Sequence, residues 1–179
     1  MASLNVRGAI SSDIPSLIQF DHGYSTDHVW QMAYSGGAEG AEIRFQEVRL
    51  PRPMRVSYPR QVENLADEWS KRLAVLVGEV DEAPAVYLAM VEGPAPGSVW
   101  VTDLVVDLRN RRQGYGAAMV RSAGAWAKQR GFQAMFLEMQ SKNFPAISLS
   151  RKLGFSFAGY SDRYYPDQDI ALFFALSFQ

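Results

Sequence analysis

Apolar and polar positions along this chain switch between a two-residue and a near-four-residue period, and the switches mark its elements. Residues 4–9 alternate as a first strand. Ser11, Ser12 and Asp13 are helix N-cap types, Pro15 suits the first turn behind them, and Ile14, Leu17 and Ile18 share one helix face. From 22 to 40 the pattern breaks up, with Gly36-Gly37 as a flexible point. Over 41–50, Ile43, Phe45 and Val48 alternate imperfectly with charges, which predicts an exposed strand. Pro51, Pro53 and Pro59 bound a stiff connector, and Val62, Leu65, Ala66 and Trp69 predict a short amphipathic helix.

The second half is clearer. Strands 73–80 and 85–91 flank Asp81-Glu82-Ala83-Pro84 as a hairpin, and Gly93 to Gly97 read as a loop. A strand over 99–107 leads through a glycine-bearing turn into a helix over 115–130, with Met119, Ala123 and Trp126 on one face. Lys128 and Arg130 suit its negative end, and Gly131 is placed for a left-handed cap. A strand over 134–140, a helix over 145–153 capped by Gly154, and strands 155–160 and 170–178 complete the chain. Meander-like strands followed by strand–helix–strand units predict an α/β (α+β) fold. Its single sheet is mixed, mostly antiparallel and flanked by helices.

Composition narrows the function classes. The chain has 179 residues, 47% of them apolar, which is enough for one domain with its own core. Lys plus Arg number 18 and Asp plus Glu 19, for a formal charge of −1, so bulk attraction to nucleic acid or anionic membrane is not expected. No cysteine occurs, which excludes disulfides, thiolate metal sites and a cysteine nucleophile. It makes the cytoplasm the simplest compartment. No segment has the apolar length of a membrane span, and residues 1–10 carry no apolar leader run. No metal site is expected, and the Asp21-His22-x-Tyr24-x-x-Asp27-His28-x-Trp30 segment reads as a solvated loop.

The chemistry concentrates in Val105-Val106-Asp107-Leu108-Arg109-Asn110-Arg111-Arg112-Gln113-Gly114-Tyr115-Gly116-Ala117. An apolar strand feeds a turn with arginines and two glycines, and a helix begins there. Glycines allow close backbone approach to a bulky anion, and the helix start offers free N–H groups. A dinucleotide fingerprint fails because its third glycine would fall at Met119, and no Gly-Lys-Ser/Thr exists for a P-loop.

Arg111-x-x-Gly114-x-Gly116 resembles the acyl-CoA-binding turn of the GNAT superfamily of N-acetyltransferases. Asn143-x-x-Ala146-Ile147-x-Leu149-Ser150-x-Lys152-x-Gly154-Phe155 and the preceding Leu137-Glu138 are similar to its second signature. Within the superfamily the pattern is nearest to streptothricin-type and ribosomal-protein alanine acetyltransferases. The resemblance implies one domain over 1–179, with its core at 73–179 and a variable acceptor-side region at 21–72. It implies acetyl-CoA as cosubstrate. The 99–107 and 134–140 strands would splay so that the pantetheine arm bonds the main chain of Leu104, Val105 and Val106. Arg111, Arg112, Gln113, Gly114, Tyr115, Gly116 and Ala117 would hold the pyrophosphate, and Asn143 would bond the pantetheine amides.

The implied activity is acetyl transfer to a primary amine by direct attack, with a small-molecule amine or a peptide N-terminus as acceptor. A catalytically weak acyl-CoA-binding or regulatory module is the alternative, because Ser150 stands where many members carry a tyrosine acid. Tyr165, Tyr160 or Tyr164 would then stand in for that acid. Glu138 is the first candidate for the base that takes the amine's proton, and Asp103 the second. Arg49, Arg52, Arg55 and Arg60 form a basic connector with Tyr58, read as solvated. A homodimer, with the closing apolar strand pairing across copies, is a further expectation.

Overall fold

A computed structural model describes residues 3–178. The elements in chain order are β1 (Asn5–Gly8), α1 (Ile14–Ile18), β2 (Tyr24–Gly37), β3 (Gly40–Val56), α2 (Asn64–Glu68), β4 (Ala74–Val80), β5 (Ala83–Glu92), β6 (Ser98–Val106), α3 (Tyr115–Gln129), β7 (Ala134–Gln140), α4 (Phe144–Lys152), β8 (Ser156–Ser161) and β9 (Ala171–Ser177). Seven strands form one sheet in the order β1-β4-β5-β6-β7-β9-β8, and β2 and β3 form a separate two-stranded ribbon. Among the described residues only β6 and β7 pair in parallel, joined by the α3 crossover; every other pair is antiparallel. The predicted sheet class is therefore the one observed.

Period-two burial explains the two-sided core. Leu76, Leu88, Met90, Val99 and Met135 pack with Met119 and Ala123 of α3 and Ile147 of α4. Val75, Val77, Tyr87 and Val105 face the other way, onto Ile14 and Leu17 of α1 and Leu65 of α2. Asp13 stands at the start of α1 but makes no cap bond there. Its carboxylate takes both arms of Arg7, at 2.7 and 2.8 Å, and the Ile10 N–H, and Arg7 holds it below the usual carboxylate range.

Three local expectations need correction. The 22–40 stretch is a strand, β2, and β3 runs on through Pro51 and Pro53 to Val56. The ribbon is largely exposed, so no buried face imposes alternation on its sequence. The prolines are tolerated because the register slips there: Thr26 pairs Met54, while His28 pairs Arg49. The β4–β5 turn is shorter than read. Asp81 and Glu82 alone form it, both left-handed at φ 49° and 61°, as a two-residue hairpin of matching twist requires. Finally, β9 lies between β7 and β8 and is paired on both edges, so it has no free edge for a second copy; β1 and β8 are the sheet's edge strands.

Candidate active site

A bulge opens the site. β5 pairs Ala89 with Asp103 and Met90 with Val101, leaving Thr102 as an extra residue in β6. Parallel pairing between β6 and β7 runs from Ser98↔Ala134 to Val101↔Leu137 and stops at that bulge. Beyond it, β5 still holds Leu104, Val105 and Val106, and β9 still holds Glu138, Met139 and Gln140. The two strands thus diverge into a V whose arms are supported from outside. The expected splay is present, and it leaves strand-edge main chain on β6 facing the gap.

The turn after β6 closes one end of the V. Arg112 and Gly114 are left-handed at φ 65° and 87°, and Gly114 is the residue before the first turn of α3. The first helical bond runs from the Ala118 N–H to the Gly114 carbonyl at 3.0 Å. The N–H groups of Tyr115, Gly116 and Ala117 therefore belong to the unpaired first turn, at the positive end of a 15-residue helix. A Cβ on Gly116 would touch Val106, Leu149 and Leu104 at 3.6–3.9 Å, so this glycine sits where β6, α3 and α4 converge. Strand-edge main chain beside a helix start of this kind fits an extended amide chain ending in a pyrophosphate.

The other cofactor candidates are placed less simply. The Arg111 guanidinium donates to the carbonyls of Val106, Gly23 and Asp21, tying the loop before β2 to the end of β6. Arg112 and Gln113 are exposed beside the turn, while Tyr115 is buried. Asn143 caps α4 by accepting from the Ala146 N–H at 3.1 Å. Ser150, 1% exposed, donates to the Ala146 carbonyl at 2.8 Å, with the Met139 sulfur 3.9 Å away.

Beside the V lies a charged cluster drawn from four parts of the chain. Asp103 on β6 and Glu138 on β7 have side chains only 4% and 1% exposed. The bulge matters here, since it places Asp103 with Val105 on the α1 side of the sheet. Arg60 joins the two acids: it bonds Glu138, lies 3.6 Å from Asp103 and donates to the Thr102 carbonyl at 3.0 Å. Arg72 reaches Asp103 at 3.7 Å and the Thr102 hydroxyl at 2.9 Å. Tyr58 donates to Asp103, as does the Thr102 hydroxyl, and Tyr164 donates to Glu138 at 3.0 Å. Burial and the facing Glu138 push Asp103 up to about 7.

Tyr165 is buried, with the Arg60 guanidinium 5.3 Å over its ring. Burial, then Glu138, raise its phenol far above the usual range, so it gives up its proton reluctantly. The histidine segment wraps the cluster. His22 bonds the Phe20 carbonyl and the Tyr87 hydroxyl and lies tilted against the Tyr58 ring, and burial lowers its pKa. Tyr24 donates to Gln140 at 3.0 Å, and His28 stacks on Phe144. Among the described residues no group of three or more His, Cys, Asp or Glu could hold a metal, and no helix is long and apolar enough to cross a membrane.

The sequence profile of the Acetyltransferase (GNAT) family matches residues 43–155, which contain the bulge, the glycine turn, Glu138 and α4. The chain belongs to the GNAT acetyltransferase family. A streptothricin acetyltransferase of Streptomyces lavendulae is 26% identical over 165 residues, spanning 89% of this chain and 85% of that protein. A ribosomal protein bS18 alanine N-acetyltransferase of Escherichia coli (strain K12) is 34% identical over 67 residues, 37% of this chain and 45% of that enzyme. A solved nourseothricin acetyltransferase superposes with a TM-score of 0.80 at 22% identity over 97% of this chain and 98% of its own. The acetyl coenzyme A complex of a Bacillus anthracis str. Ames protein gives 0.77 at 18% identity, over 99% of both. Acetyl transfer is the chemistry of this GNAT chain, and the resemblance drawn from its two motifs holds. The motifs named Glu138 and Asp103, but not Arg60, Arg72, Tyr58 or Thr102 as their partners.

Proposed function

We propose that the protein transfers the acetyl group of acetyl-CoA to the primary amine of a small cationic acceptor. The observation that carries this reading is the V between β6 and β7, with a helix-start anion site at one end and two buried carboxylates beside it. In this reading the main chain of Leu104, Val105 and Val106 and the N–H groups of residues 112–117 hold acetyl-CoA, which supplies the acetyl thioester. Asn143 adds an amide contact while it caps α4. An acceptor amine arrives as an ammonium and must shed a proton before attack. Glu138 takes that proton as one member of a coupled pair with Asp103. The Tyr164 hydroxyl, bonded to Glu138 on a side chain that is 44% exposed, offers a path from the pair to solvent. Ser150 acts within α4, and no covalent acyl-enzyme forms.

Support for a small cationic acceptor comes from the acids and tyrosines around the cluster and from the streptothricin-type relative that spans most of the chain. A peptide N-terminus is the second reading, favoured by the local match to the bS18 alanine enzyme. In both, residues 21–72 shape the acceptor side of one domain whose core is 73–179. We place the protein in the cytoplasm, since it needs no disulfide, and a homodimer formed by strand pairing would use the β1 or β8 edge. The test is thiol release from acetyl-CoA across a panel containing a streptothricin-class antibiotic, a polyamine and a peptide with N-terminal alanine. Turnover of the first two supports the proposal; turnover of the peptide alone selects the second reading. Tight acetyl-CoA binding without turnover selects a binding module.

A further inference from the structure

The cluster beside the V is already occupied by a cation of its own. Asp103 on β6 and Glu138 on β7 face two guanidiniums, Arg60 from the β3–α2 connector and Arg72 from the end of the α2 segment. Their remaining bonds come from neutral groups: Tyr58, Thr102 and Tyr164, with the Tyr165 ring beneath Arg60. The two guanidiniums already answer the charge of the two acids. An ammonium entering such a site gives up its hydration and meets no uncompensated carboxylate. The proposed function nevertheless requires an ammonium to reach this pair and surrender its proton there. One resident cation must therefore leave.

The two arginines differ in where they stand between the acids and solvent. Arg72 is 16% exposed and is shared with Glu68 at 3.1 Å, as well as Thr102 and Asp103. Arg60 is 26% exposed and follows Pro59, and like Arg72 it lies outside regular helix or strand. Its guanidinium lies between both acids and over an aromatic ring, the surroundings that suit an organic cation. We propose that Arg60 is a specificity-determining residue: its guanidinium holds the acceptor's cation site in the resting protein and is exchanged for the ammonium of a strongly basic amine. The inference rests on the acetyltransferase reading of this site. Acceptors are then selected by whether they present a cation that can replace a guanidinium, and apparent affinity is the intrinsic affinity scaled down to the fraction of molecules in which Arg60 has left its seat.

The test uses methylguanidinium as a probe of the vacated site. Calorimetry on Arg60→Met should show saturable methylguanidinium binding at least tenfold tighter than to the parent protein, abolished when Glu138→Gln is added. With a strongly basic alkylamine as acceptor, Arg60→Met should lower KM several-fold, and methylguanidinium should compete with the amine and not with acetyl-CoA. An amine that is neutral at pH 7 should show no fall in KM. Arg60→Gln, which keeps hydrogen-bonding capacity between the acids, provides the same readouts if the methionine variant does not fold. Absence of methylguanidinium binding to a folded variant overturns the inference. So does a loss of kcat in the variant that methylguanidinium restores, because Arg60 would then work in place. The calorimetry needs no turnover, so a protein that acetylates no amine would refute the functional reading while this inference is decided separately.

Discussion

The anion site at the start of α3 depends on a backbone geometry that one substitution can remove. Gly114 sits at φ 87°, and a Cβ there would meet nothing within 4 Å, so Gly114→Val acts through the backbone and not through a clash. Holding an L-residue left-handed costs about 1–2 kcal/mol, with a β-branched residue at the upper end. Against a stability of roughly 5–15 kcal/mol the variant stays folded, with a melting temperature lowered by about 2–8 °C. The turn relieves the strain by rotating Gly114 toward negative φ, which re-aims the N–H groups on either side. Each hydrogen bond to a charged group is worth about 1.5–3 kcal/mol, so losing one weakens acetyl-CoA binding about 10- to 100-fold. Gly131 is a matched control: it lies past the other end of α3 at φ 83°, again with nothing within 4 Å. Gly131→Val should cost similar stability and leave acetyl-CoA affinity alone. Calorimetric titration of both variants separates the two effects. A folded Gly114→Val with the parent's affinity would refute the assignment of the pyrophosphate to this turn.

Glu138→Gln should lower acetyl transfer about 10²-fold or more, the scale of a positioned base, with acetyl-CoA affinity nearly unchanged; an equally active variant would move the base to Asp103. Asp103 is raised from 3.8 to about 7, so the folded protein holds a proton there that the unfolded chain releases. Its contribution to stability is full below about pH 4 and is lost as pH rises toward 7. Asp103→Asn should therefore flatten the fall in stability between pH 4 and 7 in urea titrations, and a slope equal to the parent's would contradict the raised value. Ser150→Ala removes a hydroxyl already bonded to the Ala146 carbonyl, so rate should change less than about threefold. A loss of 10²-fold would return Ser150 to the chemistry.

How much of this was legible beforehand follows burial. From β4 to β7 the strands alternate between a face packed on α3 or α4 and one turned to α1 and α2 or the acceptor side, and the alternation in Val75, Leu76 and Val77 records it. Residues 134–140 were read as a strand with the bounds of β7 for that reason. The β2–β3 ribbon has no such constraint over most of its length. Tyr34 and Ile43, paired near its tip, are both exposed, and its anchors sit nearer the base: Trp30 and Phe45 against Phe157, Phe174 and Tyr160, His28 on Phe144 and Tyr24 on Gln140. A ribbon held by a few aromatic contacts leaves little periodic trace, and its prolines argue locally against a strand.

The site divides along the same line. Gly114, Gly116 and Glu138 sit in local motifs, where backbone conformation or strand position is tied to neighbours a few residues away. Arg60 is bound to residues 42 and 78 positions further along the chain, and its own neighbours, Pro59 and Gln61, say nothing about that. An arginine on a proline-flanked connector is solvated by default, and only the fold reverses this by carrying the connector over the V. The reversal has an electrostatic signature that no local window contains. Two carboxylates 1% and 4% exposed would be costly without compensation, so their burial itself demands cations from elsewhere in the chain. Given Asp103 and Glu138 as paired buried acids, some of the arginines of 49–72 had to turn inward. Which of them did so was decided by the length and path of the ribbon, the part of the sequence with the weakest pattern.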